Sequence, residues 1–357
     1  MRLLSVRALP AAFRLLAVSI LLASLVRADL VWSPSTGWRV EGGALSGLTE
    51  SEGRTALKQM NRARNDEERG NIRTANRAYT KIGKRYPNSI YAPEALYRAA
   101  KLYLSRKIYT KSFDNFQLVI SRYPNTRRFN EIIGEQYRIA SAMLDGARGR
   151  IFWGFVPGFV QRDKAIQYFE SILANAPYSD YAPLSLMNIA RGHQRLKQIP
   201  DAIDALDRMI NGYPQNLLVP DAYLKLAQTH ASLVDGPYYD QASTLESITY
   251  FTDFMLLFPS DASIASAESG LDEMKTLLAE SKMRIANFYF FKRRNYTAAR
   301  VFYNEAITSY PDSAIAARAR ERLTEVEDKV ASLPAPAAPG EEAAAAPPRK
   351  KKRFWLF

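Results

Sequence analysis

The run Ala165-Ile166-Gln167-Tyr168-Phe169-Glu170-Ser171-Ile172-Leu173-Ala174-Asn175-Ala176-Pro177 decides the fold, because its spacing recurs along the chain. Prolines preceded by an aromatic residue or alanine stand at 87, 124, 177, 214, 259 and 311, separated by 37, 53, 37, 45 and 52 residues. Twelve positions before them stand Ala75, Ser112, Ala165, Ala202, Ser247 and Ala299, all small. Eight before stand Tyr79, Phe116, Phe169, Leu206, Phe251 and Tyr303, all large. Five before stand Ile82, Val119, Ile172, Met209, Phe254 and Ala306. Steps of four and three residues put these side chains on one face of a helix. Eight after the prolines come Ala95, Ile132, Ser185, Ala222, Ala267 and Ala319, which open a second helical face. Small residues let two helices approach closely, and the large one fills the groove between successive pairs. Proline ends each helix, and the Asn, Ser or Asp behind several prolines is suited to cap the next.

Small, large and proline in this order resemble the second half of the tetratricopeptide repeat, about 34 residues per helix pair. The chain is therefore expected to be an all-α tetratricopeptide-repeat solenoid of about six helix hairpins over residues 51–331. A long helix is expected from about Ala262 to Phe291, and a closing helix near Ala314 to Val330. Residues 145–163 interrupt the pattern. There Phe152-Trp153-Gly154-Phe155-Val156-Pro157-Gly158-Phe159 has too much Gly and Pro for a helix and too many aromatics for a solvated loop. It reads either as a hydrophobic plug or as a partner-binding loop.

The flanks have their own signals. Arg2, Arg7 and Arg14 precede an apolar stretch from Leu15 to Val26 that ends in Val26-Arg27-Ala28, so residues 1–28 read as a signal peptide cleaved after Ala28. Residues 29–50 read as an extended leader with glycines and two tryptophans. Residues 332–348, rich in Pro and Ala, read as a semi-rigid linker. It carries the basic-aromatic tail 349–357, which reads as an inert solubilising tail, as a segment whose Lys350, Lys351, Lys352, Arg353 and Trp355 contact a membrane surface, or as an occupant of the peptide groove.

Composition excludes several classes. With 357 residues and no cysteine, there is no disulfide framework, thiolate metal site, cysteine nucleophile or cysteine-borne lipid. The net charge of +13 falls to about +6 once the two ends are set aside, thin for a nucleic-acid binder. No phosphate loop, dinucleotide fingerprint or hydrolase motif occurs. His193 and His230 occupy equivalent positions in consecutive repeats, where packed helices would hold them roughly 10 Å apart, too far to share a metal. Glu67 and Glu68 read as solvated charge. We expect no enzyme, cofactor, metal or small-molecule substrate. Tyrosines on the first helices of the pairs, among them Tyr91, Tyr97, Tyr103, Tyr137, Tyr181 and Tyr223, suit either packing or contact with an extended peptide.

One family orders these features in the same way. Tyr86-Pro87-Asn88-Ser89, Tyr91-Ala92, Ala95-Leu96, Tyr123-Pro124, the aromatic insertion around Trp153 and Phe155, and Phe258-Pro259-Ser260 are shared with it. So are Leu278-Ala279-Glu280, Ile285-Ala286-Asn287-Phe288-Tyr289, Lys292-Arg293, Tyr296 and Ala298-Ala299. Over roughly residues 53–328 the chain resembles the outer-membrane protein assembly factor BamD family. It departs from that pattern by one extra repeat around Pro200 to Pro214 and by lacking the lipidated cysteine. The resemblance implies a non-catalytic scaffold in the periplasm, at the inner face of the outer membrane. Its partners would be the barrel insertase and client chains, and Arg293, Arg294, Tyr296 and Arg300 would dock the insertase. The alternative is an envelope adaptor at the peptidoglycan, resembling the Tol-Pal-associated CpoB proteins.

Overall fold

The computed structural model describes residues 29–41, 50–151, 155–238 and 241–332. The signal peptide, most of the linker, Trp153 and the tail residues Lys350, Lys351, Lys352, Arg353 and Trp355 lie outside them. Two compact units divide the chain, one ending at Leu218 and the other beginning at Val219.

The described residues of the first unit begin with a two-stranded antiparallel hairpin, β1 (Asp29–Ser33) and β2 (Gly37–Glu41). Eight helices follow: α1 (Glu50–Glu68), α2 (Ile72–Arg85), α3 (Tyr91–Ser105), α4 (Tyr109–Arg122), α5 (Phe129–Leu144), α6 (Arg162–Asn175), α7 (Tyr181–Arg195) and α8 (Ile199–Gly212). Between α5 and α6, β3 (Arg150–Ile151) pairs antiparallel with β4 (Val156–Pro157). The second unit holds α9 (Val219–Ala231), α10 (Ala242–Leu257), α11 (Ile264–Asn287), a π-helical turn (Phe288–Arg293), α12 (Tyr296–Ser309) and α13 (Ala314–Ala331). Among the described residues, the first unit thus carries four helix hairpins. The second carries two and a closing helix. The fold is an all-α tetratricopeptide-repeat solenoid.

The repeat register is visible in burial. Every residue at the four aligned positions is at most 2% exposed, including the serines Ser112, Ser185 and Ser247. A buried hydroxyl must find a partner. Ser112 Oγ donates to the Ala100 carbonyl at 2.9 Å, and Ser247 Oγ donates to the Ala227 carbonyl at 2.9 Å. Ala100 and Ala227 occupy equivalent places in their repeats, so serine substitutes for alanine here by bonding the facing helix backbone.

The proline turns are also equivalent. Ser89, Thr126, Ser179, Asn216, Asp261 and Ser313 each donate a backbone N–H to the carbonyl of the residue before the proline, at 3.0–3.2 Å. That residue leaves helical geometry, with φ between −124° and −153°, as steric conflict with the proline ring requires. Side-chain capping behind the prolines is rarer than the sequence suggests. Ser89, Ser179 and Ser313 turn their hydroxyls back to the carbonyls of Tyr86, Ala176 and Tyr310, at 2.7–2.8 Å. Of these, Ser313 also caps, accepting from Ala316 N at 3.1 Å. The hydroxyl bond to the turn competes with the cap. Where the interval is 37 residues, Tyr123 and Tyr213 donate to the carbonyls of Pro87 and Pro177, stitching one turn to the next.

The leader hairpin is docked. Trp38 N donates to Asn61 Oδ1 at 2.6 Å, Asn61 Nδ2 donates to the Trp38 carbonyl at 3.2 Å, and the Trp38 ring is buried. Gly37 has φ +70°, and a Cβ there would meet Asn61 Oδ1 at 2.6 Å, so glycine is required twice over.

Candidate protein-binding surfaces

The tyrosines of the first helices divide by burial. Tyr91 belongs to the apolar cluster of the first hairpins and is 3% exposed. Tyr97 is also buried. Its hydroxyl donates to Glu131, and the Arg128 guanidinium stacks 4.4 Å from its ring. That bond belongs to a ladder between α3 and α5 in which partners are 34 residues apart. Arg128 Nε meets Glu94 Oε2 at 3.1 Å, and Lys101 Nζ meets Glu135 Oε1 at 2.6 Å. Both tyrosines are used in packing. Tyr103 is half-buried with Lys111 Nζ 5.7 Å from its ring, and remains accessible at a cavity edge.

Glu67 is a correction to the sequence reading. It is not solvated: it accepts from the Tyr79 hydroxyl at 2.9 Å and pairs with Arg64 at 3.2 Å and Arg98 at 3.5 Å. Burial, followed by the charge of Glu67, pushes the Tyr79 hydroxyl above its ordinary pKa, so the tyrosine remains a donor. The histidines have separate surroundings. His193 Nδ1 lies 2.9 Å from Gln198 Oε1, and the His230 ring stacks on Tyr250 at 5.4 Å. Among the described residues, no group of three or more His, Asp or Glu is placed to hold a metal ion.

Among the described residues of the insertion, the phenylalanines are not buried as a hydrophobic plug would require. Phe155 is 69% exposed and Phe159 85%. The Arg73 guanidinium lies 4.5 Å over the Phe155 ring.

The junction between α11 and α12 gathers the other candidates. Helix α11 ends in the π turn, whose wider winding faces successive aromatics in different directions. Tyr289 stacks on Phe302 with centroids 5.5 Å apart, and Phe290 packs on Tyr296 at 5.6 Å. Phe288 and Phe291 are left exposed, at 47% and 53%. Arg294 follows in the left-handed region with φ 51°. Asn295 then caps α12, its side chain accepting from Ala298 N at 3.0 Å. Arg293, Arg294 and Arg300 are exposed, and Tyr296 is half-buried. Arg293 and Arg322 lie 5.5 and 5.4 Å from the rings of Phe288 and Phe291. The result is a patch of arginines and exposed rings. Sequence reasoning named its cations but missed Phe288 and Phe291. The signal was present, since four consecutive aromatics cannot share one helix face.

These features define the class: a tetratricopeptide-repeat protein whose surfaces suit macromolecular partners. A tetratricopeptide-repeat profile matches residues 59–89 and 94–126, and the profile of the YfiO family, described as "Outer membrane lipoprotein", matches residues 161–325. The chain is BamD-like. It is 28% identical over 162 residues to the outer membrane protein assembly factor BamD of Rickettsia prowazekii, covering 45% of this chain and 64% of that protein. It is 27% identical to BamD of Caulobacter vibrioides, covering 36% and 42%, and 22% identical to BamD of Xylella fastidiosa, covering 41% and 53%. Less than two thirds of each of these relatives is matched. Among solved structures, MamA from Desulfovibrio magneticus aligns at TM-score 0.29 and 15% identity, over 58% of this chain and 97% of that one. No helix of the described residues is long and apolar enough to cross a membrane.

Proposed function

We propose that this protein is a non-catalytic scaffold in the assembly of outer-membrane β-barrel proteins. It works in the periplasm at the inner face of the outer membrane, holding the barrel insertase and client chains. The observation that carries this reading is the exposed junction from Phe288 to Arg300, which falls inside the segment similar to the outer-membrane lipoprotein family. The names of the BamD relatives support assembly over the peptidoglycan-adaptor alternative.

The junction suits a protein partner. Exposed rings supply anchors, and surrounding arginines steer and orient an acidic complement. Arg293, Arg294 and Arg300 form the charged border, and Tyr296 holds Phe290 in place beneath it. Of the first-helix tyrosines, Tyr103 is the accessible client contact, whereas Tyr91 and Tyr97 are buried.

The test is capture of the insertase by the tagged chain and by Arg293→Glu/Arg294→Glu. Reversing two border cations against an acidic surface should weaken capture roughly tenfold or more. Undiminished capture refutes the docking assignment. Recovery of cell-wall synthases in place of the insertase refutes the assembly role.

A further inference from the structure

The β3–β4 hairpin is held at its base. Arg150 N donates to the Lys107 carbonyl at 2.9 Å, and Gly158 N donates to the Gly149 carbonyl at 2.6 Å. A Cβ at Gly158 would sit 2.8 Å from that Gly149 oxygen, so glycine allows the two strands to close. The hairpin then exposes apolar side chains: Ile151 at 43%, Phe155 at 69%, Val156 at 44%, Phe159 at 85% and Val160 at 36%. Soluble proteins rarely group so many exposed apolar residues on one short element without a use for them.

Beside the hairpin lies a cavity of about 290 Å³, with Ile151 and Phe159 in its lining. Its wall carries Arg73 and Arg77 of α2, Arg106, Lys111 of α4 and Arg150 of β3. A neighbouring cavity of about 520 Å³ shares Arg77, Tyr103 and Lys111 and adds Lys81, Lys84 and Arg85. No Asp or Glu is among the described residues lining either cavity. The cations of α2 follow helical spacing, Arg73, Arg77, Lys81 and Lys84, so one face of that helix is basic. Arg73 joins the two features through its position over the Phe155 ring.

We propose that this face docks on an anionic phospholipid surface. The exposed side chains of the hairpin enter the boundary between headgroups and acyl chains, while the basic wall holds lipid phosphates. Both halves of the arrangement are needed for interfacial binding: apolar area to bury and cations to meet the surface charge. The guanidinium fork matches phosphate oxygens in pairs, and most of the cavity cations are arginines. A small free anion would use the cavity and leave Phe155 and Val156, which do not line it, in water. An acidic peptide would satisfy the cations but leave unexplained the outward apolar edge of the hairpin. A lipid surface accounts for both. This proposal is independent of the insertase contact, which lies on other residues.

The experiment is co-sedimentation of the chain from Asp29 to Phe357 with vesicles. One set is phosphatidylcholine alone, and the other is equal parts phosphatidylcholine and phosphatidylglycerol, each at low and high salt. Three variants are compared: Phe155→Ser/Phe159→Ser, Arg73→Gln/Arg77→Gln, and deletion of 349–357. All four substituted side chains are exposed, and circular dichroism and melting of each variant check that the fold is kept. Each cation near an anionic leaflet contributes roughly fivefold to partitioning, so the arginine pair should lose about 25-fold at low salt and less at high salt. The phenylalanine pair should lose binding at both salts. Both losses should persist in the chain lacking the tail. Unchanged binding in either double variant overturns the proposal. So does binding that depends on the arginines alone and is abolished by soluble glycerol phosphate, which would mark a free-phosphate site. Capture of an acidic peptide by this face, with no sedimentation on anionic vesicles, also overturns it and assigns the face to a protein.

Discussion

Gly270→Ala tests the packing of the fifth repeat with a single methyl group. Gly270 lies inside α11, where alanine is normally the better residue by about 1 kcal/mol. The surroundings reverse that preference. A Cβ at Gly270 would run into Phe251 Cζ and stand 2.9 Å from both Cε atoms. Phe251 is the large repeat residue of α10, 2% exposed, with its ring end facing the glycine. A buried ring has little freedom to retreat. The overpacking cost should therefore lie near the top of the usual range, about 3 kcal/mol. Subtracting the helix preference leaves a net loss of about 2 kcal/mol. In a unit of this size that lowers the melting midpoint by about 4–8 °C. The assay is thermal unfolding followed by circular dichroism, with urea unfolding as a second measure. The double variant Gly270→Ala/Phe251→Leu supplies the internal control. Shortening the ring removes the clash, so the pair should be less destabilised than the sum of the singles by about 1 kcal/mol or more. A single variant that melts at or above the parent temperature would refute the close approach of α10 and α11 described here.

Ala165→Trp and Ala202→Trp place an indole at two fully buried small positions, and each should destabilise by about 3 kcal/mol or more, read by urea unfolding; unchanged midpoints in both would remove the repeat register. Glu131 supplies a pH test. Burial would raise its pKa, but hydrogen bonds from Tyr97 and Arg128 outweigh it and hold the carboxyl below its ordinary value. Because the folded-state pKa is lowered, its stabilising contribution is present above the unfolded value near about 4 and is lost as pH falls through the folded one. The stability advantage of the parent over Glu131→Gln should therefore be full at neutral pH and vanish in acid; an advantage constant across that range would contradict the ladder between α3 and α5.

Much of the fold is legible because a solenoid repeats one contact. Each helix pair needs a small residue at the close approach, a large one for the groove and a proline to turn. These requirements recur along the chain at aligned positions, so comparing Ala75, Ser112, Ala165, Ala202, Ser247 and Ala299 is enough to find them. Local steric rules did the same for the proline turns. The arginines Arg293, Arg294 and Arg300 were recognisable through their order around Tyr296, in a helix whose sequence resembles a known family.

What a side chain does on the surface depends on which neighbour covers it, and chain order carries little of that. Tyr97 is lost to ligand contact because Glu131 and Arg128, a repeat away, tie it down, whereas Tyr103, six residues on, lies at an open cavity. Phe288 and Phe291 are exposed because α11 widens into a π turn, a choice settled by how Tyr289 and Phe290 pack on α12. The basic wall is the plainest case. A net charge of about +6 spread over the body suggests no concentrated field, yet α2, α4 and β3 bring Arg73, Arg77, Lys111 and Arg150 to one cavity. Packing contacts repeat with the sequence period and can be read from it. Exposure and electrostatic potential sum over neighbours distant in the chain, so only the folded arrangement decided them.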